Sequence, residues 1–220
     1  MKISGFTIIR NAVINDYPVV ESIRSILPIV DEMIVLVGES EDATEQLIRS
    51  IADEKIRIHH STWDMSLRTG GRVLAEETNK AFALIAPDSH WALYIQADEV
   101  LHQKYLPAVK EACIRYKDHP EVEGLLFKYL HFYGSYDYLG DSRKWYRHEV
   151  RVIRNKKGIV SYRDAQGFRN GNAKIKVKPI DAFMYHYGWV KNPELMKEKQ
   201  KNVGKFWFED DKNYEKYLES

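Results

Sequence analysis

The sequence predicts an α/β protein built on a doubly wound, mostly parallel sheet, and three observations carry that expectation. Short apolar, β-branched runs recur at Ile3 to Arg10, Met33 to Val37, Ile56 to His60 and from Trp91 up to the Asp98-Glu99 pair. Stretches with apolar residues three and four apart lie between them. The length, 220 residues, suits one such domain with elaborations rather than two. Four strands alternating with three helices imply parallel neighbours joined by right-handed crossovers.

The first strand ends at Arg10-Asn11. Asp16 is placed as an N-cap with Pro18 in the first turn of a helix whose Val19, Val20, Ile23, Ile26 and Leu27 share a face, and Pro28 ends it. The second strand runs into the turn Gly38-Glu39-Ser40-Glu41. There Asp42 and Glu45 have capping-box spacing for a helix burying Leu47, Ile48 and Ile51. A third short strand leads to a polar stretch with Trp63 and Gly70-Gly71. Arg72 then opens a helix with Leu74, Thr78, Ala81, Phe82 and Ile85 on one face. The Trp91 run follows and delivers Asp98 and Glu99 to the carboxyl edge of the sheet, where open α/β sheets bind ligands. Asp98 is thus either a ligand-binding acid or a cap for the helix beginning near His102.

Beyond Leu101 the pattern changes. Tyr105 to Tyr116 reads as a helix and Val122 to Tyr133 as a long strand antiparallel to its neighbours. Trp145 to Arg154 and Ile159 to Arg163 flank the turn composition Asn155-Lys-Lys-Gly158 and read as a hairpin. Gly167 and Gly171 mark a loop, Ala182 to Val190 a last strand, and the chain from Pro193 a charged helix. The 1–220 span reads as a single domain, with 1–101 and 102–192 as its halves and 193–220 as a C-terminal helix.

Net charge is +1, from 33 basic and 32 acidic residues, which argues against wholesale nucleic-acid binding. The balance is uneven: twelve Lys or Arg stand against Glu149 and Asp164 between Ser142 and Lys178. That block is either the solvated face of a hairpin or a positive rim for an anionic ligand, and with Phe206-Trp207-Phe208 it gives a reading of peripheral membrane contact. The single Cys113 lies in an apolar helical pattern, so no intrachain disulfide forms. With no apolar run of spanning length, the expected location is cytoplasmic, with the inner face of the membrane as a second reading.

The ordered motifs resemble family 2 glycosyltransferases, inverting, nucleotide-sugar-dependent enzymes of the GT-A type, a Rossmann-like fold with an antiparallel C-terminal elaboration. Phe6-Thr-Ile-Ile-Arg10-Asn11 is similar to the family's opening strand, and Leu36-Val-Gly-Glu-Ser-Glu-Asp-Ala-Thr44 to its aspartate-rich turn. Arg72 with Asn79 is similar to its diphosphate-approaching helix, Gln96-Ala97-Asp98 to its Asp-x-Asp motif, and Tyr185-His186-Tyr-Gly-Trp189 to its histidine-bearing strand. Two departures stand out. Gly38 occupies the place of the acid that reads the base, leaving Glu39 as the nearest substitute, and Gln96 replaces the first aspartate.

The resemblance implies a nucleoside-diphosphate sugar donor, a glycan or lipid-linked acceptor, and nucleotide-sugar contacts from Arg10, Glu39, Arg72, Gln96 and Asp98. It also implies Mn²⁺ or Mg²⁺ held by Asp98, with His186 as second ligand and Mn²⁺ favoured where imidazole binds. His186 otherwise reads as a core histidine. Inversion requires a general base for the acceptor hydroxyl. Asp164 follows a strand and precedes a glycine-containing loop, which suits a base at a cleft rim, and Glu149 is second choice. A catalytically inactive sugar- or nucleotide-binding protein is the alternative prompted by Gln96. A sugar-nucleotide nucleotidyltransferase is disfavoured because Arg10 to Asn15 has no glycine to cradle a triphosphate.

Overall fold

The computed structural model describes residues 1–210 and 212–215. Its elements in chain order are β1 (Ile3–Ile9), α1 (Val19–Ile26), β2 (Glu32–Gly38), α2 (Thr44–Arg49), β3 (Ile56–Ser61), α3 (Arg72–Ala83), β4 (Trp91–Tyr94), β5 (Glu99–Leu101), α4 (Leu106–Arg115), β6 (Gly124–Tyr133), β7 (His148–Arg154), β8 (Ile159–Tyr162), β9 (Gly167–Asn170), β10 (Ala173–Lys174), β11 (Val177–Trp189) and α5 (Pro193–Gly204). Eight strands form one sheet in the order β3-β2-β1-β4-β7-β6-β11-β5, and β10-β9-β8 form a second.

Strands β3, β2, β1 and β4 are all parallel, as the alternation of strands and helices predicts. The sheet continues with β7 antiparallel to both β4 and β6, β11 parallel to β6, and β5 antiparallel to β11. The fold class is therefore α/β, Rossmann-like, with an antiparallel elaboration.

Strand period 2 divides the core into two layers. Ile3 and Ile9 of β1 with Met33, Val35 and Val37 of β2 face Val19, Ile23 and Ile26 of α1 and Val109 of α4. Phe6, Ile8, Ile34 and Leu36 face the other way, onto Val73 and Ala81 of α3 and onto Ile159 and Phe168 of the small sheet.

Several local expectations are corrected. The N-cap of α1 is Pro18 rather than Asp16, and neither it nor Ala43, the N-cap of α2, makes a side-chain cap bond. Asp42 instead bonds across the loops, accepting from the backbone N–H groups of Val13 at 2.9 Å, Ile14 at 2.8 Å and Thr44 at 3.0 Å. The 145–163 hairpin does not form. Both edges of β7 are taken by β4 and β6, so β8 crosses to the second sheet and pairs with β9, which the glycines at 167 and 171 had marked as loop. Asp164 consequently sits in the β8–β9 turn.

Two arginines of the basic block face inward. Arg154 donates to the carbonyls of Tyr116, Lys117, His119 and Val122 and lies 4.3 Å from the Trp91 ring centroid. Arg151 is fully buried.

Candidate functional site

A cavity of about 690 Å³ opens where β1 and β4 end. Among the segments that line it are Arg10 and Asn11 after β1, Gln96 and Asp98 after β4, Asp164 to Gln166 in the β8–β9 turn, His186, Gly188 and Trp189 at the end of β11, and α5 with the residues after it, including Lys199, Lys205 and Phe206. This is the carboxyl edge at which Asp98 was expected.

The wall at β1 is fixed by polar bonds between loops. Ser40 Oγ accepts from Asn11 N at 3.0 Å, Thr44 Oγ1 from Ala12 N at 2.7 Å, and Asn11 Oδ1 from Glu41 N at 2.8 Å. With Asp42 they satisfy the backbone donors of the turn, so Arg10 leaves a rigid strand end. Its Nε donates to the Glu39 carbonyl at 2.8 Å, and its guanidinium lies 5.9 Å from the Trp63 ring centroid. Glu39 itself is exposed, its carboxylate accepting from Thr62 Oγ1 at 2.8 Å. Arg72 is exposed at the first position of α3. Neither Glu39 nor Arg72 lines the cavity, whereas Arg10, Gln96, Asp98, Asp164 and His186 all do.

After β4 the chain crosses to β5 through Ile95–Asp98. The Asp98 carbonyl accepts from Tyr187 N at 2.8 Å, which ties this crossing to β11. A Cβ at Gly188 would stand 2.5 Å from Asp98 Oδ2, so only glycine there leaves room for the carboxylate. Asp98 Oδ2 lies 3.2 Å from Lys199 Nζ and 3.7 Å from His186 Nε2. Burial pushes the Asp98 carboxyl up, but the Lys199 ammonium and His186 outweigh it and hold it down at about 2.

His186 is tethered from behind. His131 Nε2 lies 2.8 Å from the Tyr146 carbonyl, which can only accept, so that nitrogen carries the proton. Burial holds His131 below the usual histidine range. A neutral His131 must then accept at Nδ1 from His186 Nδ1, 3.3 Å away, which turns His186 Nε2 toward Asp98. The cation bonded to Asp98 is the Lys199 ammonium.

Glu99, delivered to the same edge beside Asp98, is the centre of a buried network. Arg151 meets it bidentately, Nε to Oε2 at 2.8 Å and Nη2 to Oε1 at 2.7 Å, with both side chains fully buried. Tyr129 Oη donates to Oε1 at 2.7 Å and Gln96 N to Oε2 at 3.1 Å. Arg151 also donates to the Gln166 carbonyl at 2.8 Å, so one guanidinium joins the Gln96–Glu99 crossing to the turn that holds Asp164.

That turn is unusual. Arg163 and Ala165, on either side of Asp164, have φ of 57° and 62°, a left-handed conformation that non-glycine residues rarely adopt. Across from it, a Cβ at Gly71 would lie 2.5 Å from the Asp164 Cβ. Glu149 is half-buried on β7 close by. Burial pushes its carboxyl up to about 7; Arg151 opposes the rise, and the charges of Glu99 and Asp164 add to it.

A carboxyl raised from its ordinary 4.5 to about 7 contributes stability that is complete below about pH 4.5 and lost as pH rises through 7. Glu149→Gln has no such loss. Thermal melts of wild type and variant at pH 5 and pH 8 are therefore expected to show the wild type losing ground at the higher pH, and a pH-independent difference would refute the assignment.

The donor set does not fit a protein-held divalent cation. Among the described residues no three His, Cys, Asp or Glu come together to hold one. Gln96, in the place of the family's first aspartate, turns its Nε2 to the Ala165 carbonyl at 3.4 Å. Any cation on Asp98 Oδ2 would stand beside the Lys199 ammonium that already bonds that oxygen.

No family model and no curated protein matches the chain. Solved structures do. S. aureus TarS 1-349 in complex with UDP superposes with a TM-score of 0.55 and 16% identity over 94% of this chain and 65% of its own. A second S. aureus TarS structure gives 0.51 and 16% over 92% of this chain and 39% of its own. The fold is of the GT-A type. A mycobacterial protein, at 0.50 and 14% identity over 93% of this chain and 73% of its own, is similar as well. The chain thus spans between 36% and 65% of the TarS chains it matches. Within the GT-A-type fold, α5 is the element that closes the cavity and brings Lys199 to Asp98. Sequence reading missed Lys199.

Proposed function

We propose that the chain is an inverting glycosyltransferase, similar to family 2 enzymes, that moves a sugar from a nucleoside diphosphate to a hydroxyl of a glycan or lipid-linked acceptor. The observation carrying this reading is the cavity at the carboxyl edge, where cations and carboxylates alternate: Arg10, Lys199 and Lys205 against Asp98 and Asp164. A diphosphate needs the first set and an acceptor hydroxyl the second. TarS, with the same fold, holds UDP in one of its crystal structures.

In this reading residues 1–101 form the donor half. Arg10 and Gln96 face the nucleotide, with the Trp63 ring beneath the Arg10 guanidinium. Residues 102–192 form the acceptor half, where Trp189 lies 5.7 Å from Trp145 and 6.3 Å from Tyr133 between ring centroids. Such aromatic faces suit sugar rings. Asp164 takes the proton of the acceptor hydroxyl as its oxygen attacks the anomeric carbon. The bond from that carbon to the diphosphate breaks on the opposite side, and the nucleoside diphosphate leaves with the electron pair. Asp98 and His186, expected to hold Mn²⁺ or Mg²⁺, have the role of orienting Lys199, and no step runs through a metal. No helix among the described residues is long and apolar enough to cross a membrane. The basic and aromatic tail leaves peripheral contact with a membrane-borne acceptor as part of the proposal.

Thermal shift with UDP, CDP, GDP and ADP and their sugar conjugates tests the donor class, because a ligand that binds only the folded chain raises its melting temperature. At least one family of nucleotides is expected to do so. Absence of any shift would reject the donor site. A shift without turnover of any sugar conjugate would favour the inactive binding protein.

A further inference from the structure

We infer that the Lys199 ammonium is the built-in counter-cation for the donor diphosphate, so that donor binding needs no divalent metal. The inference rests on the reading of the cavity as a nucleotide-sugar site and adds which group meets the leaving phosphate.

The geometry has four parts. Lys199 Nζ donates to Asp98 Oδ2 at 3.2 Å and to the Gly188 carbonyl at 2.9 Å, so two of its three N–H groups are held by the crossing after β4 and by the end of β11. The ammonium also lies 4.7 Å from the centroid of the Tyr17 ring, whose face favours a cation. The side chain is 14% exposed and lines the cavity, so the charge is largely removed from bulk water yet reachable by a ligand. Finally, the Asp98 oxygen that meets Lys199 also lies 3.7 Å from His186 Nε2, so the carboxylate is held between the two side chains and keeps its place beside the ammonium.

These contacts do for a lysine what ligands do for a metal ion: they fix a positive charge in space before the substrate arrives. A charge fixed in a water-poor cleft stabilises developing negative charge without reorganisation. An ammonium is a compact point charge, well suited to a phosphate oxygen even without bidentate geometry. Arg10 at the end of β1 supplies a second cation on the same cavity wall. The substitution of Gln96 for an acid fits this scheme. A second carboxylate beside Asp98 would serve a divalent cation, whereas a monovalent ammonium is already matched by one.

The experiment measures binding of UDP, CDP, GDP and ADP by calorimetry to wild type, Lys199→Met and Lys199→Arg, each in EDTA and in Mn²⁺. Electron paramagnetic resonance of free Mn²⁺ accompanies it. The inference predicts that wild type binds at least one diphosphate in EDTA and that Mn²⁺ leaves the affinity within about threefold. Lys199→Met is expected to lose at least about tenfold in EDTA, the worth of a hydrogen bond to a charged group, and Lys199→Arg to keep most of the affinity. Wild type with nucleotide should deplete free Mn²⁺ no more than nucleotide alone, a readout that does not depend on whether a variant folds. Binding by wild type only in Mn²⁺ overturns the inference while leaving the donor site intact. The inference is overturned equally if Lys199→Met with Mn²⁺ binds as well as or better than wild type, since Lys199 would then be a placeholder. No binding of any nucleotide in either condition rejects the donor site and the inference with it.

Discussion

Replacing Asp164 with Asn is expected to lower sugar transfer by roughly two to four orders of magnitude, the worth of a positioned general base, while donor affinity stays within about twofold. The turn that carries Asp164 explains why its effect should be so separable. Arg163 and Ala165 both have positive φ, a conformation that local sterics oppose and that surrounding contacts must hold. The backbone behind them is held by Arg151, which donates to the Gln166 carbonyl. Asn is nearly isosteric with Asp and leaves the turn, its Gly71 contact and the cations of the cavity untouched. Only the ability to take a proton is lost. Initial rates with saturating donor and acceptor, beside donor titrations, check the split. Turnover near that of wild type would return Asp164 to a turn-forming role. Glu149, pushed up to about 7 by its burial, would then be the acid to replace next.

The 1–101 half was legible because its signals are local. Runs such as Met33 to Val37 and the spacing of Val19, Ile23 and Ile26 depend on neighbours in sequence, and β2 and α1 form where those patterns lie. Asp98 was legible for the same reason, as an acid at the end of a buried strand. What failed depended on pairing between distant segments. The turn composition at Asn155 to Gly158 is real, but a hairpin needs two free strand edges, and β7 has none once β4 and β6 are in place. Capping-box spacing at Asp42 gave the right residue but only part of its role: one carboxylate oxygen accepts from Thr44 N at the start of α2, and the other is taken by Val13 N and Ile14 N in the loop after β1. Lys199 lies in a helix with lysines at 197 and 201, with a further one at 205 just past its end, and meets Asp98 across 101 positions, so nothing local singles it out. Glu99 beside Asp98 looked like a lesser copy of it. Only the fold shows that one points into the cavity and the other into the core.

That difference gives the largest stability effect expected in the molecule. Glu99→Ala should destabilise the fold by about 3–5 kcal/mol, because it strands the Arg151 guanidinium in a site where both partners are fully buried. For a chain of this size that corresponds to a drop in Tm of roughly 6–20 °C. Part of the loss is the bidentate bond itself and part is the Tyr129 hydroxyl and Gln96 N–H left without their acceptor. Glu111→Ala is the control: its pair with Arg115 is solvent-exposed, and removing it should cost about 0.5 kcal/mol or less. Adding Arg151→Met to Glu99→Ala should recover part of the stability, since the unpaired charge is what weighs most. Recovery should stay incomplete, because Arg151 also holds the Gln166 carbonyl and with it the Asp164 turn. Urea denaturation of the two single variants and the double variant closes the cycle. A Glu99→Ala variant as stable as the Glu111→Ala control would mean that the guanidinium finds water or another acceptor, and the link between the Gln96–Glu99 crossing and the Asp164 turn would then have to run through other residues.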